Sequence, residues 1–281
     1  MIKNFVRGIL RSSVEMARRT RLGAYRHEMI VKSAMEQTMT VRHGGLEFIL
    51  PVPNNLCRFR AESFSSKEPE TLEWIDSLPA GSVLWDVGAN VGLYSVYAAR
   101  KRQCRVFAFE PSVFNLELLA RNTYLNGVAD RVCIVPMALS DSLGASRLRM
   151  TSTEWGGALS TFDRDFGYDG AKLHSIFEFQ TLGLTMEDAV HRLKLPQPDY
   201  VKMDVDGIEH IILRAGGSVL RAVRGLLLEI NDDFHEQAEQ SRELLTAAGL
   251  SLVGKKQSEL VASEMPGFER TFNQIWKRGE S

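Results

Sequence analysis

The chain lacks most of what marks a metal centre, a secreted scaffold or a membrane span. It has only three cysteines in 281 residues, and Cys57, Cys104 and Cys133 are widely spaced. An odd, scattered set gives neither a disulfide framework nor a Cys-x-x-Cys pair. Its six histidines include no His-Glu-x-x-His, so structural zinc is not expected. No run of 18 apolar residues occurs, and the first residues lack the apolar core of a secretory signal. A reducing, cytoplasmic setting fits these absences. Charge of one sign is missing too: 34 Lys and Arg stand against 35 Asp and Glu, a net −1. With no basic stripe in the core, nucleic acid is not an expected partner. No internal repeat or low-complexity tract is present.

What is present is ordinary globular composition, 44% hydrophobic and 25% charged. The first 64 residues read as one unit, a basic amphipathic helix followed by an extended segment. Ile2, Phe5, Val6, Ile9, Leu10 and Val14 fall at helical spacing, with Lys3, Arg7 and Arg11 on another face. Arg18, Arg19, Arg21 and Arg26 follow. Such a helix over residues 1–26 suits peripheral contact with the inner face of an anionic membrane. It suits equally a helix docked on its own domain or on a partner subunit, or, in a eukaryote, a transit peptide. Residues 41–60 read as extended, broken by Pro51 and Pro53.

From 65 to 281 strands and helices alternate. The strands are Val83–Val87, Arg105–Phe109, Val132–Val135, Tyr200–Val205 and Leu226–Ile230, with a terminal pair near 250–253 and 271–277. This rhythm predicts a mostly parallel, Rossmann-like α/β sheet with helices on both faces. Thr185 and Asp188 have the spacing of a capping box. Residues 150–180 interrupt the rhythm. Trp155, Phe162, Phe166, Tyr168, Phe177 and Phe179 lie there among glycines and aspartates. An aromatic and acidic insert over a ligand edge suits recognition of a sugar or polyol.

Ligands of such sheets bind beyond the carboxyl ends of the strands. The first of those ends is Asp86-Val-Gly88-Ala89-Asn90-Val-Gly92. A dinucleotide fingerprint needs Gly-x-Gly-x-x-Gly, but Asn90 and Leu93 replace its second and third glycines. Asp86 before the loop would repel phosphates. S-adenosylmethionine (SAM) has an ammonium, a carboxylate and a sulfonium but no phosphate, and it suits the loop better. An NAD(P)-dependent oxidoreductase and a non-catalytic SAM-binding module are the alternatives. Glu110, about 20 residues after the loop and followed by Pro111, is placed to accept the ribose hydroxyls. Ala138 and Leu139 are placed to frame the adenine. On the fourth strand Lys202, Asp204 and Asp206 alternate with apolar residues, which is costly in a buried strand without a role. Asp204 is the first candidate for the catalytic base, followed by Glu209 and His210. Trp155, Asp206, Glu229 and Asn231 are the candidate acceptor contacts. The carboxylates of adjacent strand ends could hold a divalent cation, but polar contacts to cofactor or acceptor explain them as well, and no metal is expected.

Taken in order, these motifs resemble the FkbM-type methyltransferases, a branch of the class I SAM-dependent enzymes. The resemblance rests on Asp86–Ser95, Phe109-Glu110-Pro111, Pro198–Glu209 and Leu228-Glu229-Ile230, and covers about 65–278. It implies a seven-stranded sheet with an antiparallel last strand. It also implies O-methylation of a hydroxyl on a sugar, glycolipid or polyketide-type small molecule. Asp206 departs from the family, which more often has Glu there.

Overall fold

The computed structural model describes residues 14–16, 18–264 and 267–279. The expected apolar face on Ile2, Phe5, Val6, Ile9 and Leu10, with Lys3, Arg7 and Arg11, lies outside the described residues. The first long element is helix α1 (Arg21–Met35), whose start is capped by Thr20 accepting from the Gly23 N–H at 3.0 Å. A hairpin follows, β1 (Thr38–His43) and β2 (Leu46–Pro51), and then α2 (Asn55–Glu62) and α3 (Pro69–Ser77). The expected extended segment is thus part hairpin and part helix. Asn54 caps α2 by accepting from Cys57 N–H at 2.8 Å, and eight residues are too few to show a clear helical period.

The core is a seven-stranded sheet. Its strands are β3 (Val83–Val87), β4 (Arg105–Phe109), β5 (Val132–Val135), β10 (Tyr200–Met203), β11 (Gly225–Asn231), β12 (Leu250–Lys256) and β13 (Thr271–Arg278). Their order is β12-β13-β11-β10-β3-β4-β5. All paired neighbours are parallel except β13, which runs antiparallel between β11 and β12. This is the expected Rossmann-like sheet. The central strands are almost wholly buried, as strands covered on both faces must be. Helices α4 (Leu93–Lys101) and α5 (Val113–Leu125) join β3, β4 and β5.

Residues 138–184 build a second sheet rather than a loose loop. It contains β6 (Ala138–Leu139), β7 (Gly144–Met150), β8 (Ser160–Phe162) and β9 (Phe177–Leu184), in the order β6-β9-β7-β8. The capping box forms at α6 (Met186–His191), with both reciprocal bonds between Thr185 and Asp188 present. After β10 come α7 (Glu209–Arg214) and α8 (Gly217–Ala222), after β11 comes α9 (His235–Ala247), and α10 (Glu259–Glu264) precedes β13.

Two apolar layers flank the main sheet. One joins Trp85, Phe109, Met203 and Leu228 to Ile212 and the second sheet. The other joins Tyr97, Ala98 and Leu227 to Phe48, Leu50, Ala61 and Phe64. The hairpin and α2 therefore share a core with the domain, and packing does not break at residue 64. Asn126 fastens the hairpin to α5: its amide accepts from Ile49 N–H at 3.0 Å and donates to Ile49 C=O at 2.9 Å. Among the described residues no helix is long and apolar enough to cross a membrane.

Candidate active site

The loop between β3 and α4 turns through three left-handed residues, Gly88, Asn90 and Gly92. A Cβ on Gly88 would lie 1.8 Å from the Asp204 carbonyl oxygen, so only glycine lets β3 and β10 end this close together. Asn90 tolerates its φ of 51° and ties two neighbours to the loop. Its N–H donates to Glu110 Oε2 at 2.8 Å, and its Nδ2 donates to the Gly157 carbonyl at 2.7 Å. Glu110 Oε1 accepts from Ser112 N–H at 2.8 Å. Burial pushes the Glu110 carboxyl up to about 7 against these two backbone bonds and a third from the Asn115 side chain.

A cleft runs from Gly88 and Asn90 past Glu110 and Pro111 to Ala138 and Leu139, with Asp204 and Asp206 on its other side. Gly157, Ala158 and Phe162 roof it. No lysine or arginine is among its described lining residues.

Asp204 and Asp206 also line a larger cavity of about 350 Å³. Its walls come from distant segments: Phe59 and Arg60 of α2, Lys67 and Glu68 before α3, Glu229 at the end of β11, and Phe268 before β13. Carboxylate oxygens of Glu68, Asp204 and Glu229 all lie within 4.8 Å of one another. Lys67 Nζ is 2.5 Å from Glu68, and Lys202 Nζ is 3.2 Å from Asp204. Burial alone would lower the Lys202 pKa, but Asp204, Asp86 and Glu68 more than reverse this and keep it charged. Burial likewise opposes ionisation of Glu68, yet Lys67 and Lys202 hold its carboxyl low. Glu229 has no hydrogen-bond partner among the described residues. Its enclosure, then the charges of Asp204 and Glu68, push its carboxyl well above the usual range. Asp206, at φ 58°, accepts from Ser160 N–H at 3.2 Å, and burial pushes it up to about 7.

A family model described as the methyltransferase FkbM domain matches residues 86–252. The chain belongs to the FkbM methyltransferase family. Methyltransferase sdnD of Sordaria araneosa is 39% identical over 71 residues, 25% of this chain and 27% of that protein. Hexuronic acid methyltransferase AglP of Haloferax volcanii is 27% identical over 150 residues, 53% of this chain and 56% of that protein. The chain thus spans about half or less of the length of these curated relatives. Among solved structures, precorrin-6Y C5,15-methyltransferase from Geobacter metallireducens shares 17% identity over 76% of this chain and 87% of that one, with a TM-score of 0.43.

The structure brings several of the expected site residues of the FkbM domain together. Gly88, Asn90, Glu110, Pro111, Ala138, Leu139, Asp204 and Asp206 line the cleft, and Glu229 lines the cavity. Gly92 shapes the turn, since a Cβ there would lie 2.1 Å from Leu119 Cδ1. Ala89 faces a recess under α2, beside Arg60 and Tyr94. Other positions need correction. Asp86 does not reach the cleft: its Oδ2 accepts from Ser95 Oγ at 2.6 Å and its Oδ1 lies 3.6 Å from Lys202 Nζ. Its work is to hold the buried lysine. Glu209 is buried and braces the turn after β10, accepting from Val205 N–H at 2.9 Å, Gly207 N–H at 3.1 Å and Gln237 Nε2. His210 is 1% exposed and packs against Phe166 and Phe234, away from both cavities. Burial lowers its pKa to about 4, so it stays neutral. Neither has access to an acceptor.

Trp155 lines neither the cleft nor the larger cavity. It packs beside Cys57, Val91 and Leu118, and its carbonyl accepts from Asn54 Nδ2 at 3.0 Å. Asn231 accepts from Asp233 N–H at 3.0 Å and shapes the turn after β11. The aromatic insert also works differently from expectation. Phe162 is core, Tyr168 stacks on Phe268 at 4.3 Å, and it is the backbone near Gly157 that meets the cavities. The residues the sequence did not single out are Arg60, Lys67, Glu68 and Phe268. Only the register of α2 and the return of the chain before β13 bring them to the site.

Proposed function

We propose that this FkbM domain transfers a methyl group from SAM to a hydroxyl of a saccharide-type acceptor. The observation that carries this reading is the position of Asp204, where a cleft without cations meets a carboxylate-lined cavity. The cleft's donor set fits SAM. Glu110 keeps acceptor capacity for a ribose hydroxyl, and the glycine at 88 keeps the strand-end floor open to a close-lying ligand. Pyrophosphate would meet no lysine or arginine among the described lining residues, which disfavours the NAD(P) alternative. Carboxylates are acceptors for sugar hydroxyls, and Phe59 and Phe268 offer apolar surface for a ring face. The name of the Haloferax relative gives hexuronic acid as its substrate, which supports the saccharide class.

Bound SAM supplies an electrophilic methyl group and a neutral thioether leaving group. The protein's part is alignment and proton removal. Lys202 Nζ, 3.2 Å from Asp204 Oδ2, ties Asp204 at the meeting point of the two cavities. Glu229, whose carboxylate lies within 4.8 Å of that of Asp204 and has no side-chain hydrogen bond among the described residues, is the proton acceptor for the attacking hydroxyl. Glu68 is held as an anion by Lys67 and orients a second hydroxyl. Lys67 pairs with Glu68, and Lys202 pairs with Asp204. The test is calorimetry with SAM, NAD and NADP, followed by transfer of labelled methyl to a panel of neutral sugars and uronic acids. Binding of SAM alone, with label on a sugar oxygen, is the expected result. Tight NADP binding without SAM binding would overturn the reading.

A further inference from the structure

Helix α1 has no buried residue, although Leu22 and Tyr25 are each 60% exposed and Met29, Ile30 and Val31 are open too. It is therefore not the self-docked helix that its apolar content would suggest. Leu22, Tyr25 and Met29 stand at i, i+3 and i+7, so they form one row. Gly23, His27 and Met35 are the less exposed positions and lie on the other side. Arg18 and Arg26 bracket the outward row at four residues on either side of Leu22. Arg19, Arg21 and Lys32 add to them, so residues 18–36 hold five basic side chains against Glu28 and Glu36. The chain as a whole has a net charge of −1. Positive charge is thus concentrated on a helix that has no buried residue and a row of exposed apolar side chains.

We infer that α1 is a docking face for an anionic lipid bilayer, with Leu22, Tyr25 and Met29 entering the interface and the flanking arginines meeting phosphate headgroups. Long basic side chains can lay their stems along an apolar surface and keep the charge at the headgroups. A second copy of this chain fits less well. The apolar row is narrow, and a second copy would bring a second set of five basic side chains beside the first. The inference does not depend on the chemistry of the active site, because the helix contributes nothing to either cavity.

The test is sedimentation of the full chain with vesicles of phosphatidylcholine, alone or mixed equally with phosphatidylglycerol. Binding is expected only to the mixed vesicles, and it should weaken as salt rises. Two variants separate the contributions, Leu22→Ser/Tyr25→Ser/Met29→Ser and Arg18→Glu/Arg21→Glu/Arg26→Glu. Each should lower vesicle affinity at least about tenfold and leave the circular dichroism spectrum and SAM binding unchanged. Equal binding to both vesicle types, no binding, or binding that neither variant alters would overturn the inference. So would a stable dimer that the serine variant dissociates, which would assign the face to a second copy.

Discussion

The two cavities that meet at Asp204 are built by opposite means. The cleft proposed for the cofactor lies at the ends of β3, β4 and β10 and depends largely on backbone: glycines at left-handed φ and N–H groups that fix Glu110. The cavity proposed for the acceptor draws side chains from α2, the stretch before α3, β11 and the stretch before β13, beside the segment around Gly157. Neighbouring strands set the first, and it tolerates little change. Loops and edges gather the second, and its charges can be altered one at a time. A fold of this kind can keep one cofactor and vary its acceptor.

Gly88→Val should break the comparison most severely. A branched side chain at φ 78° would meet the Asp204 carbonyl, so a loss of roughly 3 kcal/mol or more is expected. Thermal unfolding and SAM calorimetry check this, and a stable variant that still binds SAM would show the strand ends can move apart. Next comes Glu229→Gln, which should lower methyl transfer about 10²–10⁴-fold while SAM affinity holds. If Asp204→Asn shows that pattern and Glu229→Gln does not, the base is Asp204.

Arg60→Met should act only on the acceptor side. Its guanidinium donates from Nε at 2.9 Å and Nη2 at 2.7 Å to the Gly156 carbonyl, which fastens the roof segment to α2. Losing these bonds should raise the acceptor KM roughly tenfold, with the SAM dissociation constant little changed. The smallest effect concerns pH. Burial raises Glu209 to about 7, so the folded state binds this proton more tightly than the unfolded chain does. That stabilisation is full below the ordinary carboxyl value of 4.5 and fades as pH rises through 7. Glu209→Gln should therefore flatten the Tm-against-pH curve between these values. An unchanged slope would mean that another buried acid, such as Glu110 or Asp206, dominates it.

The same division explains what could be read in advance. Strands, the glycine turn, Glu110 and the Asp204–Asp206 run were legible because local spacing fixes a turn and a strand end together. Glu209 and His210 were misread because a polar residue after a strand end looks alike whether it faces a ligand or braces a turn. Gln237, 28 residues further on, is what turns Glu209 inward. Asp86 looked like a ligand contact, but the buried Lys202 on the neighbouring strand claims it. Trp155 was chosen for its ring, whereas its carbonyl makes the structural contact. Glu68 and Phe268 had no local signal, since only tertiary packing brings them within reach of the cavity.

The bonds from Asn126 to Ile49 have a further consequence. A two-stranded hairpin leaves one flank of β2 with bare amide and carbonyl groups, open to a stray strand from another molecule. At Ile49 a side-chain amide already occupies both of those groups. The flank is thus blocked at its middle by an imitation peptide. Replacing Asn126 by leucine would free that flank and favour aggregation before it cost the domain its shape.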